Sequence, residues 1–328
     1  MSHQGDPRHG APAVVPDRLA RSARALGAVG RAWLADLPAL VASLEADWSI
    51  TVGAPLEGGQ AAYVAEAVTR AGTPVVLKVS IPPGIDAFAP FDRVLSALLL
   101  AGGDPYVGLL RHDVPRQALL LERLGPPMAD LGWTVESQVD ALARTAARGW
   151  RPVPDDGRFP DGAEAARWHV DFIPSTWEAL ARPCPEAVVD LAVACATARE
   201  AAADPGRAVL VHGDVHAFNA LRGAGAGFRL VDPEGLASEP AHDLGVVLAR
   251  GVREWIDGLA ASDPRRAVET MARGCRHLGR LAGVDPEAVR QWAVTEVVST
   301  GLFLLGLGHD GEAEPYLRAA GGLAAAAR

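Results

Sequence analysis

The chain has 328 residues, of which 49% are hydrophobic and 22% charged, and its formal net charge is −9. That length suits one large domain or two lobes, and the composition is that of a soluble globular protein. The negative balance argues against nucleic acid as the main partner, because phosphate backbones demand basic faces, and is compatible with a small cationic ligand.

Residues 1–16 are polar, carry Pro and Gly, and contain no apolar signal core, which points to the cytoplasm. Residues 17–46 place Leu19, Ala23, Leu26, Val29, Trp33 and Leu37 at helical spacing, so two amphipathic helices are expected, broken near Gly30 or Pro38. The period then shortens. Three strands are expected over 48–52, 61–68 and 74–80, joined by Gly58-Gly59 and Ala71-Gly72-Thr73 into an antiparallel meander. A helix over 88–101 and strands over 109–112 and 117–122 follow. After Leu124-Gly125-Pro126-Pro127 the pattern turns helical, with helices expected over 136–148, 176–180, 186–203, 244–259, 265–282 and 286–307 and a Pro- and Gly-rich loop over 151–161. The apolar run 297–308 is too short to span a bilayer. Cys184, Cys195 and Cys275 show no CxxC spacing and read as free thiols of a reducing compartment. The expected fold class is α+β, a strand-rich N-terminal lobe followed by a helical C-terminal lobe.

Chemistry concentrates in Val211-His212-Gly213-Asp214-Val215-His216-Ala217-Phe218-Asn219, followed by Leu230-Val231-Asp232-Pro233-Glu234. Phosphoryl transfer needs a carboxylate to orient the attacking hydroxyl, oxygen ligands for Mg²⁺ and a cation on the phosphates. Asp214 and Asn219 lie five residues apart on one loop after a short apolar run, so one can face a hydroxyl and the other a metal. Asp232 ends the next short run and adds a charged hard oxygen. Lys78 is the single lysine among 31 basic residues, and Asn219 is the single asparagine. In a chain so biased toward arginine, both mark positions where chemistry tolerates no substitute. His212 and His216 form no zinc-type pattern; His212 reads as a brace for the loop.

The run His-Gly-Asp-x-x-x-x-Asn with a following aspartate resembles the aminoglycoside phosphotransferase family. Several further stretches resemble its streptomycin 6-phosphotransferase branch, also called aminoglycoside/hydroxyurea resistance kinases. They are Arg31-Ala32-Trp33-Leu34, the turn 55–64, Leu120-Leu121-Glu122-Arg123-Leu124 and Asp232-Pro233-Glu234-Gly235-Leu236. The resemblance covers nearly the whole chain. It implies a bilobal protein-kinase-like fold, with a helical extension over 1–46, a nucleotide-binding lobe over 47–124 and a catalytic and substrate-binding lobe over 125–328. It implies ATP and Mg²⁺ as cofactors, Asp214 as the catalytic carboxylate, and Asn219 and Asp232 as metal ligands. Gly58, Gly59 and Lys78 would touch the phosphates, Glu122 and Leu124 would meet the adenine edge, and Asp243 would anchor the catalytic loop. The sequence departs from the family at the usual acidic partner of the lysine, where Val94 stands and Asp92 is the nearest acid.

The branch implies a small cationic antibiotic as acceptor, streptomycin at its 6-hydroxyl, with no membrane or nucleic-acid partner. Carboxylates and aromatic walls suited to such a cation include Glu234, Glu239, Trp168 and Trp177, with Asp155, Asp156, Glu254 and Glu296 as further candidates. A kinase of a small hydroxylated metabolite shares the same motifs, and a nucleotide-binding pseudoenzyme is the third alternative.

Overall fold

The computed structural model describes residues 14–56, 61–82, 89–225, 227–251 and 263–326. Gly58, Gly59, Glu254 and the end of the helix expected over 244–259 lie outside the described residues. The chain divides into two compact units, residues 1–103 with 107–123, and residues 104–106 with 124–328.

The first unit opens with α1 (Asp17–Ala25) and α2 (Gly27–Trp48). Trp33, Leu37, Val41, Leu44 and Trp48 recur every three or four residues along α2 and are all buried, so one stripe of the helix faces a core. That core is completed by one face of a five-stranded antiparallel sheet. Its strands are β1 (Ile50–Pro55), β2 (Ala62–Thr69), β3 (Pro74–Ser80), β4 (Leu109–Asp113) and β5 (Ala118–Glu122), in the order β1-β2-β3-β5-β4. Val75, Leu77 and Val79 of β3 lie in the core shared with the two helices. Side chains alternate along a strand, so Lys78 is carried on the opposite face, with Val64 and Leu119 as its cross-strand neighbours. Helix α3 (Phe91–Ala101) separates β3 from β4.

The second unit is helical, with α4 (Val135–Gly149), α5 (Gly162–Ala179), α6 (Glu186–Ala202), α7 (Ala241–Arg250), α8 (Pro264–Ala282), α9 (Pro286–Gly306) and α10 (Asp310–Ala326). Helix α9 is its centre: Trp292, Ala293, Val297, Val298 and Leu302 are all buried in one cluster. Two antiparallel ribbons are inserted between α6 and α7. β6 (Val209–Val211) pairs with β9 (Leu236–Ser238), and β7 (Ala220–Arg222) pairs with β8 (Phe228–Leu230). Cys195 and Cys275 are buried free thiols. Among the described residues no helix is long and apolar enough to cross a membrane.

The meander, the two ribbon strands at 209–211 and 228–230, and most helices lie where the sequence places them. Besides β7 and β9, where no strand is expected, three features differ. The break between the first helices falls at Leu26-Gly27, where Gly27 takes φ +67, and α2 runs straight through Pro38. Gly30 instead serves close packing, because a Cβ there would meet the Ala23 carbonyl oxygen of α1. Helix α5 begins at Gly162 rather than near 176, started by a capping box in which the Asp161 side chain and Glu164 backbone and the reverse pair bond each other. Helix α10 was not expected at all; its alanine- and glycine-rich sequence carries a weak apolar pattern.

Helices α7 and α9 meet at Gly245. A Cβ at that position would come within 2.4 Å of the Trp292 Cβ and 2.8 Å of the Ala293 backbone nitrogen. Gly245→Ala gains helix propensity but must push two main chains apart, so it should destabilise the protein by about 1–3 kcal/mol. Urea unfolding of the variant checks this, and an unchanged midpoint would show that the helices separate freely.

Candidate active site

The loop between β6 and β7 carries His212 to Asn219, and the loop between β8 and β9 carries Val231 to Gly235. Their backbones are laced together. The Val231 N–H donates to the Asn219 carbonyl at 2.9 Å, and the Glu234 N–H donates to the His212 carbonyl at 2.8 Å. Gly213 holds φ +84, and a Cβ there would lie 3.0 Å from the Glu234 Cβ, so the loops approach as closely as glycine permits.

Asp243, in the first turn of α7, is 1% exposed and receives three donors. Its Oδ1 accepts from the Gly213 N–H at 2.9 Å. Its Oδ2 accepts from the His212 N–H at 3.1 Å and the Trp150 Nε1–H at 2.9 Å. A buried carboxylate needs such saturation, since each unmade bond would cost about 1–3 kcal/mol or more. His212 is fully buried beside the Tyr106 ring. Its Nδ1 accepts from the Asp214 N–H at 3.2 Å and its Nε2 lies 2.9 Å from the Val231 carbonyl, which selects the neutral Nε2–H tautomer. The sequence-assigned brace therefore joins both loops.

Asp214 is the point of convergence. Its Oδ2 accepts from Asn219 Nδ2 at 3.0 Å and lies 3.2 Å from His216 Nε2. Its Oδ1 accepts from Arg250 Nη2 at 2.7 Å. Burial alone would raise this carboxyl, but the neighbouring His216 and Arg250 outweigh it and hold it well below the usual carboxylate range. Asn219 also donates to the Asp214 carbonyl at 3.0 Å, so its amide nitrogen is committed to the aspartate. Asp232 follows β8 in the left-handed region at φ +58, exposed beside the strand end that Asn219 anchors. Among the described residues no three His, Cys, Asp or Glu side chains form a metal cage by themselves. One amide oxygen and one carboxylate nevertheless fit Mg²⁺, which takes few protein ligands and completes its octahedron with phosphates and water.

The remaining sequence-assigned residues separate into distinct surroundings. Lys78, Glu122 and Leu124 are placed at the sheet and its exit: Lys78 is half-buried on β3, and the Glu122 side chain accepts from the Gly108 N–H at 2.7 Å. On α3, Asp92 is exposed and Val94 half-buried. In the helical unit Trp177 is buried and donates its indole N–H to the Cys184 carbonyl at 2.8 Å. Glu239 is engaged by Arg199 at 3.1 Å and by the Trp292 indole at 3.0 Å. Trp168 is exposed and stacked on Phe172 at 4.5 Å. Glu234 lies against Gly213 of the loop that carries Asp214. Glu296 is buried with His169 at 3.1 Å and His242 at 3.9 Å, and His242 stacks on Trp292 at 3.8 Å. Burial would raise the Glu296 carboxyl, yet the two imidazoles hold it well below its usual range.

Arg250 was not singled out by sequence reasoning. It closes an apolar helix in a chain with thirty arginines, and nothing in its neighbours' identities marks it. His169 and His242 escaped notice for the same reason.

Comparison with known proteins places this geometry. The family model for aminoglycoside/hydroxyurea antibiotic resistance kinases matches residues 47–305. The chain is 33% identical over 257 residues to a streptomycin 6-kinase of Streptomyces griseus, covering 77% of this chain and 80% of that protein. It is 31% identical over 314 residues to a hydroxyurea phosphotransferase of Kitasatospora aureofaciens, covering 93% of this chain and 83% of that protein. The fold is that of a choline kinase of Streptococcus pneumoniae, with a TM-score of 0.58 at 14% identity, over 88% of this chain and 98% of the other. The α+β, protein-kinase-like architecture expected from the motifs is the one found.

Burial lowers the His212 imidazole below its ordinary value, against the opposing pull of Asp243 and Asp214. The folded protein therefore refuses a proton that the unfolded chain accepts. Stability should be unaffected by this group above about pH 6.5 and should decline as the pH falls through that value. Urea midpoints between pH 5 and 8 should show a steeper acid decline for the wild type than for His212→Gln. Parallel curves would mean that His212 is protonated in the fold.

Proposed function

The chain belongs to the aminoglycoside/hydroxyurea antibiotic resistance kinase family, and on that premise we propose that it transfers the γ-phosphate of ATP to a hydroxyl of streptomycin, the 6-hydroxyl of its streptidine ring. The observation that carries the reading is Asp214, a carboxylate kept ionised and fixed by three donors on a loop ending in Asn219. Residues 47–124 serve the nucleotide and residues 125–328 the transfer.

Phosphoryl transfer passes through a loose transition state, so positioning and charge matter more than basicity. Asp214 accepts a hydrogen bond from the acceptor hydroxyl and aims its oxygen at the γ-phosphorus. As the oxygen–phosphorus bond forms and the bond to ADP breaks, the hydroxyl proton passes to Asp214 and then to solvent. Asn219 and Asp232 would hold Mg²⁺, which would supply positive charge against the phosphate oxygens. Lys78 supplies a compact positive charge to the phosphates, Gly58-Gly59 is the turn assigned to cover them, and Glu122 to Leu124 meet the adenine edge with backbone groups. His212 and Asp243 act only through the loop they brace. Glu234 and Trp168 are the carboxylate and the exposed indole assigned to a cationic acceptor; Trp177 is buried and Glu239 is held by Arg199 and Trp292. The phosphate would add roughly −1.5 to −2 charge to the drug, which opposes binding to an anionic RNA target.

Mass spectrometry of streptomycin incubated with the protein, ATP and Mg²⁺ should show one added phosphate, and expression in a sensitive bacterium should raise the streptomycin concentration needed to stop growth. Hydroxyurea belongs in the same screen, because a hydroxyurea phosphotransferase is 31% identical over 93% of the chain, against 33% over 77% for the streptomycin 6-kinase. A phosphate on hydroxyurea and none on streptomycin would transfer the assignment to that acceptor. Asp214→Asn should lower kcat by about 10²–10⁴ while leaving nucleotide affinity nearly intact; a wild-type rate would remove Asp214 from the chemistry.

Asp232→Ala should weaken Mg-nucleotide binding more than Asn219→Ala, since a charged oxygen contributes more to a hard dication than a neutral amide. Calorimetric titration separates the two variants. Equal, unchanged affinities would move the metal elsewhere.

A further inference from the structure

The three donors on Asp214 are unequally distributed. Each carboxylate oxygen offers about two lone-pair sites. Oδ2 is filled by two groups of its own loop, Asn219 Nδ2 and His216 Nε2. Oδ1 receives one donor among the described residues, Arg250 Nη2 at 2.7 Å, and so keeps one site open. Arg250 comes from outside the loop. It closes α7, and its other arm, Nη1, reaches the Thr300 hydroxyl of α9 at 3.3 Å. The guanidinium is planar and its arms are rigidly related, so a hold on Thr300 fixes the direction from which Nη2 meets Oδ1. Rotation of the Asp214 carboxylate would break this bond together with the two at Oδ2.

We propose that Arg250 is a positioning residue for phosphoryl transfer: its guanidinium, anchored on Thr300, locks Asp214 so that the open site of Oδ1 is where the acceptor hydroxyl docks. The inference rests on the assignment of Asp214 as the acceptor-orienting carboxylate. Arg250 touches neither the proton nor the phosphoryl group; it decides which lone pair faces the acceptor.

The test uses the full chain and two reactions, transfer from Mg-ATP to streptomycin and the slow transfer to water, which needs no acceptor. Arg250→Ala should lower kcat in both by about 10²-fold, the scale of a misplaced reacting group, with KM for Mg-ATP changed less than about two-fold. Millimolar guanidinium chloride should restore at least about a tenth of the lost rate to Arg250→Ala and leave the wild type and Asp214→Asn unmoved. Arg250→Lys should be intermediate, because one ammonium can reach Oδ1 but cannot also hold Thr300. Thr300→Val keeps the guanidinium and removes its anchor, so it should lose several-fold in kcat at unchanged KM while remaining folded.

Wild-type kcat per folded site in Arg250→Ala overturns the proposal. So does a loss that guanidinium does not restore and that follows the folded fraction in thermal melts, which is what a purely structural residue would give. If Asp214→Asn keeps its rate, the assignment of Asp214 fails instead. If the wild type transfers phosphate neither to streptomycin nor to water, the functional reading and this inference fall together.

Discussion

The loop from His212 to Asn219 depends on the buried carboxylate of Asp243. It stands in the first turn of α7, where the helix dipole favours an anion, and it gathers the N–H groups of His212 and Gly213 with the Trp150 indole. Those N–H groups belong to a segment leaving a three-residue strand, which cannot hold a loop in place unaided. Seven residues later, two turns along the same face of α7, Arg250 takes hold of the Asp214 carboxylate. One short helix thus grips the loop twice, first by its backbone and then by the Asp214 side chain. The helix is itself registered on α9 by the glycine contact at Gly245 and Trp292 and by the Thr300 hydroxyl.

Two residues of these loops take backbone conformations that L side chains rarely adopt. Gly213 and Asp232 both take positive φ, one at +84 and the other at +58. Glycine adopts that region freely. An aspartate there costs of order 1 kcal/mol or more, and such a cost persists only where the surroundings over-determine the backbone. The lacing of Val231 to Asn219 and of Glu234 to His212 supplies that constraint. The positive φ takes the backbone at Asp232 out of the extended conformation of β8, at the residue proposed to hold the metal.

Contiguous features were legible in the sequence and assembled ones were not. His212, Asp214 and Asn219 sit on one loop at spacings their chemistry dictates, and the β3 lysine is unique in composition. The antiparallel meander was readable from alternation and turn residues. Arg250, His169 and His242 come from two helices and reach their carboxylates only after those helices pack, so no local pattern announces them. The strands β7 and β9, at three residues each, are shorter than any periodicity can report. Helix α5 was missable only in part: Asp161 and Glu164 carry a capping-box signature at its start, hidden beside a Pro- and Gly-rich loop. The break expected at Gly30 or Pro38 failed because a proline inside an otherwise well-packed helix can be tolerated, and because Gly30 was needed for contact rather than for a turn.

Net charge is a poor guide to the field at the reacting atoms. The chain carries −9 overall, yet Asp214 is flanked by a guanidinium and an imidazole. A negative molecule draws a cationic acceptor from a distance, with a reach set by the screening length of about 8–10 Å at ordinary salt. At contact the local charges take over. An ammonium or guanidinium brought to the open site of Oδ1 would sit against Arg250 and be repelled, whereas a neutral hydroxyl would not. On the proposed role of Asp214, a polycationic acceptor would turn its charged groups toward other carboxylates and present a hydroxyl there. Selection of oxygen over nitrogen as the phosphorylated atom would then follow from where Arg250 stands, with no residue needed to recognise the hydroxyl as such.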